Sequence, residues 1–460
     1  MEISEVCGSP TLPAIINQPD TNTAHDEQLY VYPIKSLRPT KVTEGELTRL
    51  GLRYDRRFML LKVTPGENGD APTLENMHIP EYPEMGLFQT AIESPKTEND
   101  TGKLVVTYNP PSSDDSNDVT ESEVEAQHLE IPLEPETKNL KPFTVMMHQS
   151  PTTGYDMGPS YNEWFSACFG YPVVLAYLGS NTRGVLGSLA PAKRNKESWW
   201  SIWKEELVLP SNGYGNKILD QWLVPFSLGY LVLNVVSWCH RRIEAGTAPA
   251  AAIGLTALGL ACLWTMVNLF VMRRHEARIG FADCAPFLVI SQTSVENVSG
   301  RLAGDEEVDL TKFRPNIVIS GAEKAFEEDL WAELEVGQSI DAGGGDSKVR
   351  LLLTGNCVRC KSLNVDFATG KMGTGESGSV LKKLMKDRRV DRGAKYSPVF
   401  GRYSFLGRES VGKNIKVGDE VRILRRAEEH TVTGESNTRR FYLFIRWVLN
   451  VRLDWPGLMN

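Results

Sequence analysis

The spacing of apolar and polar positions predicts a chain built mainly of short strands. Before residue 180 the apolar runs typical of strands are Leu29 to Ile34, Arg57 to Val63, Leu104 to Tyr108, Phe143 to Met147 and Tyr171 to Leu178. After residue 286 they are Phe287 to Ser291, Ile317 to Ser320, Val349 to Leu353, Tyr403 to Leu406 and Val417 to Leu424. Predicted helices are few and short: Pro159 to Phe169, Thr293 to Leu302 and Ser379 to Lys386. A capping box of Thr293 with Glu296 is expected to open the second of these helices. We therefore expect a mainly β fold with some α-helix.

Two uncharged apolar segments, Gln221 to Cys239 and Gly246 to Met272, interrupt this pattern. Each is close to the roughly 20 residues with which a helix spans a bilayer, and tryptophans and arginines lie near their ends. The segments predict a transmembrane hairpin, and a pair of buried core helices is the alternative. The strands Tyr171 to Leu178 and Phe287 to Ser291 flank the insertion.

These patterns divide the 460 residues into five parts. We expect a disordered N-terminus (1–28), a β-rich domain (29–150), a second β-rich domain (151–185 and 279–426), an insertion (186–278) and a tail (427–460). The formal net charge of −8 gives no indication of nucleic-acid binding. The seven cysteines are scattered and no secretory signal is evident, which favours free thiols in a reducing compartment.

The candidate chemistry lies in the segment that follows the strand Val349 to Leu353. Gly355 and Asn356 are expected to end that strand, and Cys357 and Cys360 follow, with Arg359 beside the second thiol. A neighbouring cation favours the thiolate, which is both a nucleophile and a soft metal ligand. Three other interpretations stay open: a turn with two packed cysteines, half of a zinc site and a thioredoxin-like dithiol.

Several motifs, taken together, resemble one family. VYPIKS (31–36) and DRRF (55–58) resemble the N-terminal β-barrel module that accompanies MOSC domains, named after the C-terminal domain of molybdenum-cofactor sulfurase. Five further motifs resemble the MOSC domain itself: FRPNIVISG (313–321), CVRC (357–360), VDFATG (365–370), YSPVFGRYSFL (396–406) and KVGDEV (416–421). Within the family, the chain is most similar to the amidoxime-reducing components. The resemblance implies two β-barrels interrupted by the hairpin. It places the strands Tyr171 to Leu178 and Phe287 to Ser291, which flank the insertion, in one barrel, so the number of membrane crossings should be even.

The resemblance also implies roles for individual residues. Cys360 is expected to be the catalytic cysteine whose sulfur binds the molybdenum of a molybdenum–molybdopterin cofactor. Positions expected to contact that cofactor are Lys35, Ser36, Arg57, Asp283, Cys284, Arg314 and Arg359. Arginine suits this role because its rigid fork of donors matches oxyanions such as the pterin phosphate. Asp283-Cys284-Ala285 departs from the family, because relatives carry hydroxyl residues there.

The implied activity is reduction of N-hydroxylated compounds such as amidoximes and hydroxylamines. Electrons would come from a cytochrome b5-type protein and its NADH-dependent reductase. An intracellular membrane is implied, either the outer mitochondrial membrane or the endoplasmic reticulum, with the catalytic domain facing the cytosol. The alternative is a carrier of molybdenum cofactor or of a persulfide on Cys360. Pyridoxal phosphate binding is implied only for the wider family, because no aminotransferase-like domain is recognisable.

Overall fold

The structure is a computed structural model. It describes residues 14–15, 29–66, 70, 72–95, 101–111, 126–148, 150–185, 189–191, 277–304, 306–337 and 348–433, and seven isolated positions between 234 and 259. Residues 1–191 and 278–460 form one compact unit, and residues 192–277 form another. All the elements described below belong to the first unit.

The described strands are numbered in chain order. They are β1 (Ala14–Ile15), β2 (Leu29–Val31), β3 (Thr40–Val42), β4 (Glu44–Thr48), β5 (Gly51–Leu52), β6 (Phe58–Thr64), β7 (Thr73–Asn76), β8 (Phe88–Glu93), β9 (Lys103–Tyr108), β10 (Gln127–Pro132), β11 (Lys141–Met147), β12 (Ser150–Asp156), β13 (Val173–Tyr177), β14 (Arg183–Gly184), β15 (Arg278–Ile279), β16 (Phe287–Ser291), β17 (Ile317–Ile319), β18 (Trp331–Val336), β19 (Val349–Val358), β20 (Val365–Asp366), β21 (Lys371–Met372), β22 (Val399–Leu406), β23 (Asn414–Lys416) and β24 (Glu420–Arg426).

The α-helices are α1 (Pro159–Phe169), α2 (Gln292–Ser299) and α3 (Val380–Leu384). Short 3₁₀ turns occur at Pro83–Leu87, Leu310–Phe313, Glu327–Leu330, Lys361–Asn364, Ser377–Ser379 and Arg408–Ser410. The predicted helix Pro159 to Phe169 is confirmed, and Gly170 ends it in the left-handed conformation. The predicted mainly β fold is therefore confirmed over the described residues.

A nine-stranded sheet carries most of the predicted site. Its order is β1-β24-β18-β19-β22-β16-β17-β2-β3, and β16 pairs in parallel with β17 through α2. Alternate residues of β19, beginning at Val349, are buried in an aliphatic core that includes Leu29 and Val289. As far as Leu353, β19 thus follows the period of two that strands impose. On β18, the buried Glu333 forms ion pairs with Arg350 and Arg425 at 3.4 and 3.6 Å.

The second set of strands forms a five-stranded sheet, β11-β12-β13-β6-β7, and a three-stranded sheet, β10-β9-β8. Their shared core packs α1 against aromatic side chains, with the rings of Phe88 and Phe169 stacked 4.7 Å apart. The Asn76 amide donates to the Met146 carbonyl at 2.6 Å and so links the two edge strands of the five-stranded sheet. A further three-stranded sheet has the strand order β23-β4-β5.

The strand pairing differs from the sequence analysis at two places. The strand around residues 173–177 pairs with β6 in the five-stranded sheet, whereas β16 lies in the nine-stranded sheet, so the expectation of one shared barrel was wrong. Conversely, β2 belongs to the nine-stranded sheet although it comes early in the chain. The domain limits drawn at residues 150 and 279 stay predictions.

The segments expected to form the transmembrane hairpin, 221–239 and 246–272, lie outside the described residues apart from isolated positions. Within the part of the chain that the structure describes, no helix combines the length and apolarity needed to cross a membrane. The chain enters and leaves the insertion at two paired strands, because β14 and β15 are antiparallel neighbours with Arg183 opposite Ile279.

Two local expectations were wrong. The strand predicted to end at Leu353 continues to Val358, with irregularities at Gly355 and near Asn356, so these residues form bulges within β19. At α2 the predicted capping box between Thr293 and Glu296 does not form. The Thr293 hydroxyl instead donates to the Ala322 carbonyl at 3.0 Å.

Candidate functional site

The two cysteines of the predicted turn have different surroundings. Cys357, at the end of β19, is buried (3% exposed), and the Arg359 guanidinium donates to its sulfur at 3.0 Å. Cys360 is exposed, and its sulfur lies 3.3 Å from the Ser362 hydroxyl. The bulges in β19 bury Cys357, while the 3₁₀ turn that begins after Cys360 carries the second thiol out of the sheet. Cys360 is therefore the thiol of this pair that an external ligand can reach.

Two arginines beside this turn have buried donors that no described residue pairs with. Arg359 donates through Nη2 to the Phe313 carbonyl, and Arg314 donates through Nη1 to the Leu37 carbonyl at 2.9 Å. Within the described residues, Nε of Arg359 and Nη2 of Arg314 are buried without a hydrogen-bond partner. Burial lowers the pKa of Arg314 to about 10, which leaves it charged at neutral pH. Unpaired buried guanidinium donors are costly, so they indicate an anionic ligand.

A lysine and an aspartate form the next part of the site. The buried Lys35 ammonium pairs with the Asp283 carboxylate, and Nε2 of the exposed His148 lies 3.2 Å from the same carboxylate oxygen. Burial lowers the pKa of Lys35, and Asp283 partly offsets that effect. For Asp283, desolvation raises the pKa, but attraction by Lys35 and hydrogen bonding from His148 outweigh it, so the net pKa is lowered. Asp283 is thus an ionised anchor for Lys35.

Cys284 connects this ion pair to the cysteine turn. Tyr403, which pairs with Leu288 of β16 and with Gly355 of β19, interacts electrostatically with both the Cys284 and the Cys357 thiols. Burial, followed by repulsion from Asp283, raises the pKa of Cys284 to about 11, so this thiol is neutral at physiological pH. Where relatives are expected to carry hydroxyls, this chain therefore presents an uncharged thiol that is half-buried.

These residues lie next to one another, and we call them the contact ring. Its members are Lys35, Asp283, Cys284, Tyr403, Cys357, Arg359 and Arg314. Ion pairs, hydrogen bonds or electrostatic interactions join its members directly or through a neighbour in the chain, and the hydrogen bond from Arg314 to the Leu37 carbonyl leads back towards Lys35. Three residues at the ring or next to it have left-handed backbones, namely Ser36 (φ 71°), Arg56 (φ 48°) and Arg314 (φ 56°). Such conformations cost about 1 kcal/mol or more for non-glycine residues and cluster at functional sites.

A fully buried asparagine, Asn316, connects several of the segments that carry the ring. Asn316 donates to the Tyr30 carbonyl and to Asp55, both at 3.1 Å, and accepts from the Leu288 amide and from Arg56 at 3.1 and 3.0 Å. It thereby links β2, β16 and the turn before β6, and it follows Arg314 by two residues. The Arg314 guanidinium lies 4.3 Å from the centre of the Tyr32 ring, which the same network holds.

Arg183 fixes the segment that carries Asp283. It is 1% exposed and donates to the carbonyls of Gly280 at 3.1 Å, Asp283 at 2.8 Å and Ala282. Desolvation lowers the pKa of Arg183, and Asp283 and Cys284 oppose that effect. This guanidinium therefore orients the backbone from which the Asp283 and Cys284 side chains project.

The structure brings most of the predicted site residues together. Lys35, Asp283, Cys284, Arg314 and Arg359 are members of the contact ring, Ser36 follows Lys35, and Cys360 follows Arg359. Arg57 makes its contacts elsewhere: it donates to the Gly179 carbonyl, and its guanidinium lies 5.7 Å from the Tyr177 ring.

Sequence reasoning missed His148, Arg183, Tyr403, Arg56 and Asn316. Three of these lie inside quoted motifs: Arg56 in DRRF, Asn316 in FRPNIVISG and Tyr403 in YSPVFGRYSFL. A polar residue at the start of a buried strand was the available signal for Asn316. Nothing in the local sequence singles out His148 or Arg183, because their contacts are made with residues 135 and about 100 positions away.

Comparison with known families defines the class of protein. The MOSC N-terminal beta barrel domain matches residues 24–172, and the MOSC domain matches residues 276–422. The chain is therefore a MOSC-domain protein with an N-terminal MOSC β-barrel, as the motifs predicted.

Its relatives narrow this class. The chain is 37% identical over 155 residues to human mitochondrial amidoxime-reducing component 1, and this match covers 33% of this chain and 40% of the relative. It is 36% identical over 144 residues to rat mitochondrial amidoxime reducing component 2, covering 31% and 38%. It is also 24% identical over 417 residues to a molybdenum cofactor sulfurase of Emericella nidulans, covering 86% of this chain and 40% of the relative. The matched segments thus span about two fifths of each relative.

Proposed function

We propose that this protein is a molybdenum-cofactor oxidoreductase that reduces N-hydroxylated compounds, such as amidoximes and hydroxylamines. The observation that carries the proposal is the exposed Cys360 thiol next to two guanidiniums with unpaired buried donors. Relatives whose names describe amidoxime reduction support the substrate class.

The donor set fits the cofactor. Molybdopterin is anionic at its phosphate and at its metal centre, and Arg314 and Arg359 offer unpaired donors for such oxygens. Lys35 adds a buried positive charge, which Asp283 holds in place. Cys360 supplies a thiolate, the soft ligand type that such metals take from proteins. We propose Lys35, Ser36, Asp283, Cys284, Arg314 and Arg359 as the residues that hold the cofactor, with Arg57 as an outlying member.

When bound, the cofactor supplies two-electron removal of an oxygen atom from the substrate. The residues of this chain bind and orient it. Arg183 fixes the backbone of the Asp283 segment, and the Asn316 network positions Arg314. Electrons are proposed to come from a b-type cytochrome and its NADH-dependent reductase.

The test measures molybdenum and pterin in purified protein, together with NADH-driven reduction of benzamidoxime by the reconstituted system. We expect roughly one molybdenum per chain and turnover that requires all three proteins. Cofactor-loaded protein without turnover would refute the reductase. A Cys360→Ser variant supplies the control, because it should lose thiolate ligation while keeping the fold.

A second candidate function is a carrier of cofactor or of a persulfide on Cys360. The long match to a molybdenum cofactor sulfurase favours it, because that match covers 86% of this chain. The exposed Cys360 thiol is accessible to a sulfur donor. Intact-mass spectrometry separates the two functions, since a persulfide without molybdenum supports the carrier.

We further propose that segments 221–239 and 246–272 form a transmembrane hairpin in an intracellular membrane, with the catalytic domain facing the cytosol. The pairing of β14 with β15 supports an even number of crossings, because the chain leaves and re-enters the folded unit at adjacent strands. Carbonate extraction of membranes followed by protease protection tests this. Release of intact protein into the soluble fraction would overturn it.

A further inference from the structure

A basic surface lies beside the Cys360 turn. Residues 382–395 contain seven Lys or Arg and two Asp, in a chain whose formal net charge is −8. Five of these cations are exposed, and we call them the basic patch: Lys382, Lys386, Arg389, Arg392 and Lys395. The segment is thus opposite in charge to the chain as a whole.

The other charged side chains of this segment form ion pairs or hydrogen bonds within the protein. Lys383 pairs with Glu376, and the buried Arg388 donates to Asp329 at 2.5 Å. Of the two acids, Asp387 pairs with Arg301 at 2.6 Å, and the buried Asp391 accepts from Asn356 at 3.0 Å.

The basic patch itself keeps its charge. Among the ion pairs of the described residues, none uses a cation of the patch, although Lys386 adds a weaker attraction to Glu376. The patch therefore presents positive charge that the described part of the molecule does not neutralise.

The patch is built against the candidate site. Helix α3 begins with a hydrogen bond from the Leu381 amide to the Asn364 side chain at 3.0 Å, in the 3₁₀ turn that follows Cys360. Beyond the other end of the segment, the Arg359 amide donates to the Pro398 carbonyl at 2.8 Å. Residues that flank the basic segment on both sides are thus bonded to residues near Cys360.

We propose that the basic patch is the docking surface for an acidic one-electron carrier protein, which delivers electrons at the Cys360 turn. The inference rests on the proposed reductase. Cleavage of one N–O bond consumes two electrons and two protons and releases one water, so the carrier must dock and leave twice per turnover. Charged surfaces suit such brief encounters, because complementary charge accelerates association more than it strengthens the complex. Electron-transfer interfaces are correspondingly small.

The composition of the patch favours a protein over a lipid surface. Among the described residues next to the patch in the chain, the exposed large apolar side chain is Tyr396, which is 84% exposed. Binding in a membrane interface requires a broader apolar face beside the cations. A few lysines and arginines around one aromatic ring are instead typical of a protein contact, where aromatic and Arg side chains are enriched.

The experiment uses the full chain and the soluble haem domain of a b-type cytochrome as the acidic carrier. The patch variant is Lys386→Glu, Arg389→Glu and Lys395→Glu. The matched control makes the same change in charge at three exposed cations elsewhere, Arg49→Glu, Lys138→Glu and Lys141→Glu. Thermal unfolding and molybdenum content establish that both variants fold and load like the unaltered protein.

Binding of the carrier is measured by surface plasmon resonance from about 0.01 M to about 1 M ionic strength. We expect the patch variant to weaken binding at low salt by about tenfold or more and to remove most of the salt dependence. The control should change the dissociation constant by less than about threefold. Equal binding by all three proteins, or equal loss in both variants, would overturn the docking surface.

A second measurement separates this proposal from the proposed function. Benzamidoxime reduction driven by dithionite bypasses the carrier, so the patch variant should retain it while its KM for the carrier rises about tenfold. Absence of dithionite-driven turnover in the unaltered protein counts against the reductase, whereas the binding experiment still decides the docking. Loss of binding to anionic phospholipid vesicles, with carrier binding unchanged, would assign the patch to a membrane and overturn the proposal.

Discussion

Replacing Asn316 by leucine should destabilise the protein strongly, because one side chain makes four hydrogen bonds in a region without solvent. Asn316 is fully buried, and its partners are the Leu288 amide, the Tyr30 carbonyl, Arg56 and Asp55. Leucine has a similar volume, so the main effect is loss of polar partners and not a cavity.

The magnitude follows from the two kinds of bond. Each neutral hydrogen bond contributes about 1 kcal/mol, and each bond to a charged group contributes about 1.5–3 kcal/mol. The bonds to Arg56 and Asp55 overlap, because these two residues also pair with each other, so the four contributions do not add fully. We expect a loss of about 4 kcal/mol, a large fraction of the roughly 5–15 kcal/mol that stabilises a typical domain.

Urea unfolding at constant pH measures this loss as a lower midpoint with an unchanged m-value. The matched control is Asn181→Leu, because the Asn181 amide makes a local bond to the Leu178 carbonyl at 3.1 Å in a half-buried turn. That variant should lose about 1 kcal/mol or less. If Asn316→Leu lies within 1 kcal/mol of the unaltered protein, or matches Asn181→Leu, the network around Asn316 does not have the proposed energetic weight.

Three further predictions concern groups in or near the site. Desolvation raises the pKa of the buried Glu328 from 4.5 to about 7, so between these pH values the folded state retains a proton that the unfolded state loses. The free energy of unfolding should therefore fall as pH rises from about 4.5 to about 7. In denaturant titrations, Glu328→Gln should not show that fall: it should be more stable than the unaltered protein by up to about 3 kcal/mol at pH 8, with no difference below pH 4.5, and an unchanged pH profile would contradict this. Cys357→Ser should keep bound molybdenum, whereas Cys360→Ser should lose thiolate ligation, as X-ray absorption and metal content would measure; equal loss in both would refute the assignment. Arg183→Met should leave three carbonyls without their donor and lower stability by about 3 kcal/mol together with molybdenum content, while Arg183→Lys should recover part of both.

The strands that could be predicted are those with strong apolar contrast. The runs at β6, β16 and β17 were recognised because most of their residues are buried. Strand β18 was missed because its sequence, WAELEV, carries two glutamates. Glu333 contacts Arg350 and Arg425, and Glu335 pairs with Lys348 at 3.0 Å. Cross-strand ion pairs thus place acidic residues in a strand that an apolar pattern alone does not reveal.

The extension of β19 could not be predicted for a different reason. Gly355 favours a break by local propensity, yet β22 continues to pair with β19 as far as Val358 opposite Val399. Tertiary pairing therefore converted an expected turn into two bulges, and those bulges direct Cys357 into the core. The motif identified the cysteines, but only the register shows which of them is accessible.

The site residues were recognised within separate motifs, whereas their arrangement depends on contacts between residues that are far apart in the chain. Lys35 and Asp283 are 248 positions apart, and Arg314 reaches a carbonyl 277 positions earlier. These contacts exist because β2, which precedes Lys35, pairs with β17, which follows Arg314, in the nine-stranded sheet. The segment matched as the MOSC domain, residues 276–422, does not contain β2, Lys35 or Ser36. That segment alone would expose the edge of β17 and would lack the ammonium that Asp283 holds. The proposed anion-binding part of the site therefore depends on both modules together, because the N-terminal module supplies a strand and a buried cation to the domain that carries Cys360.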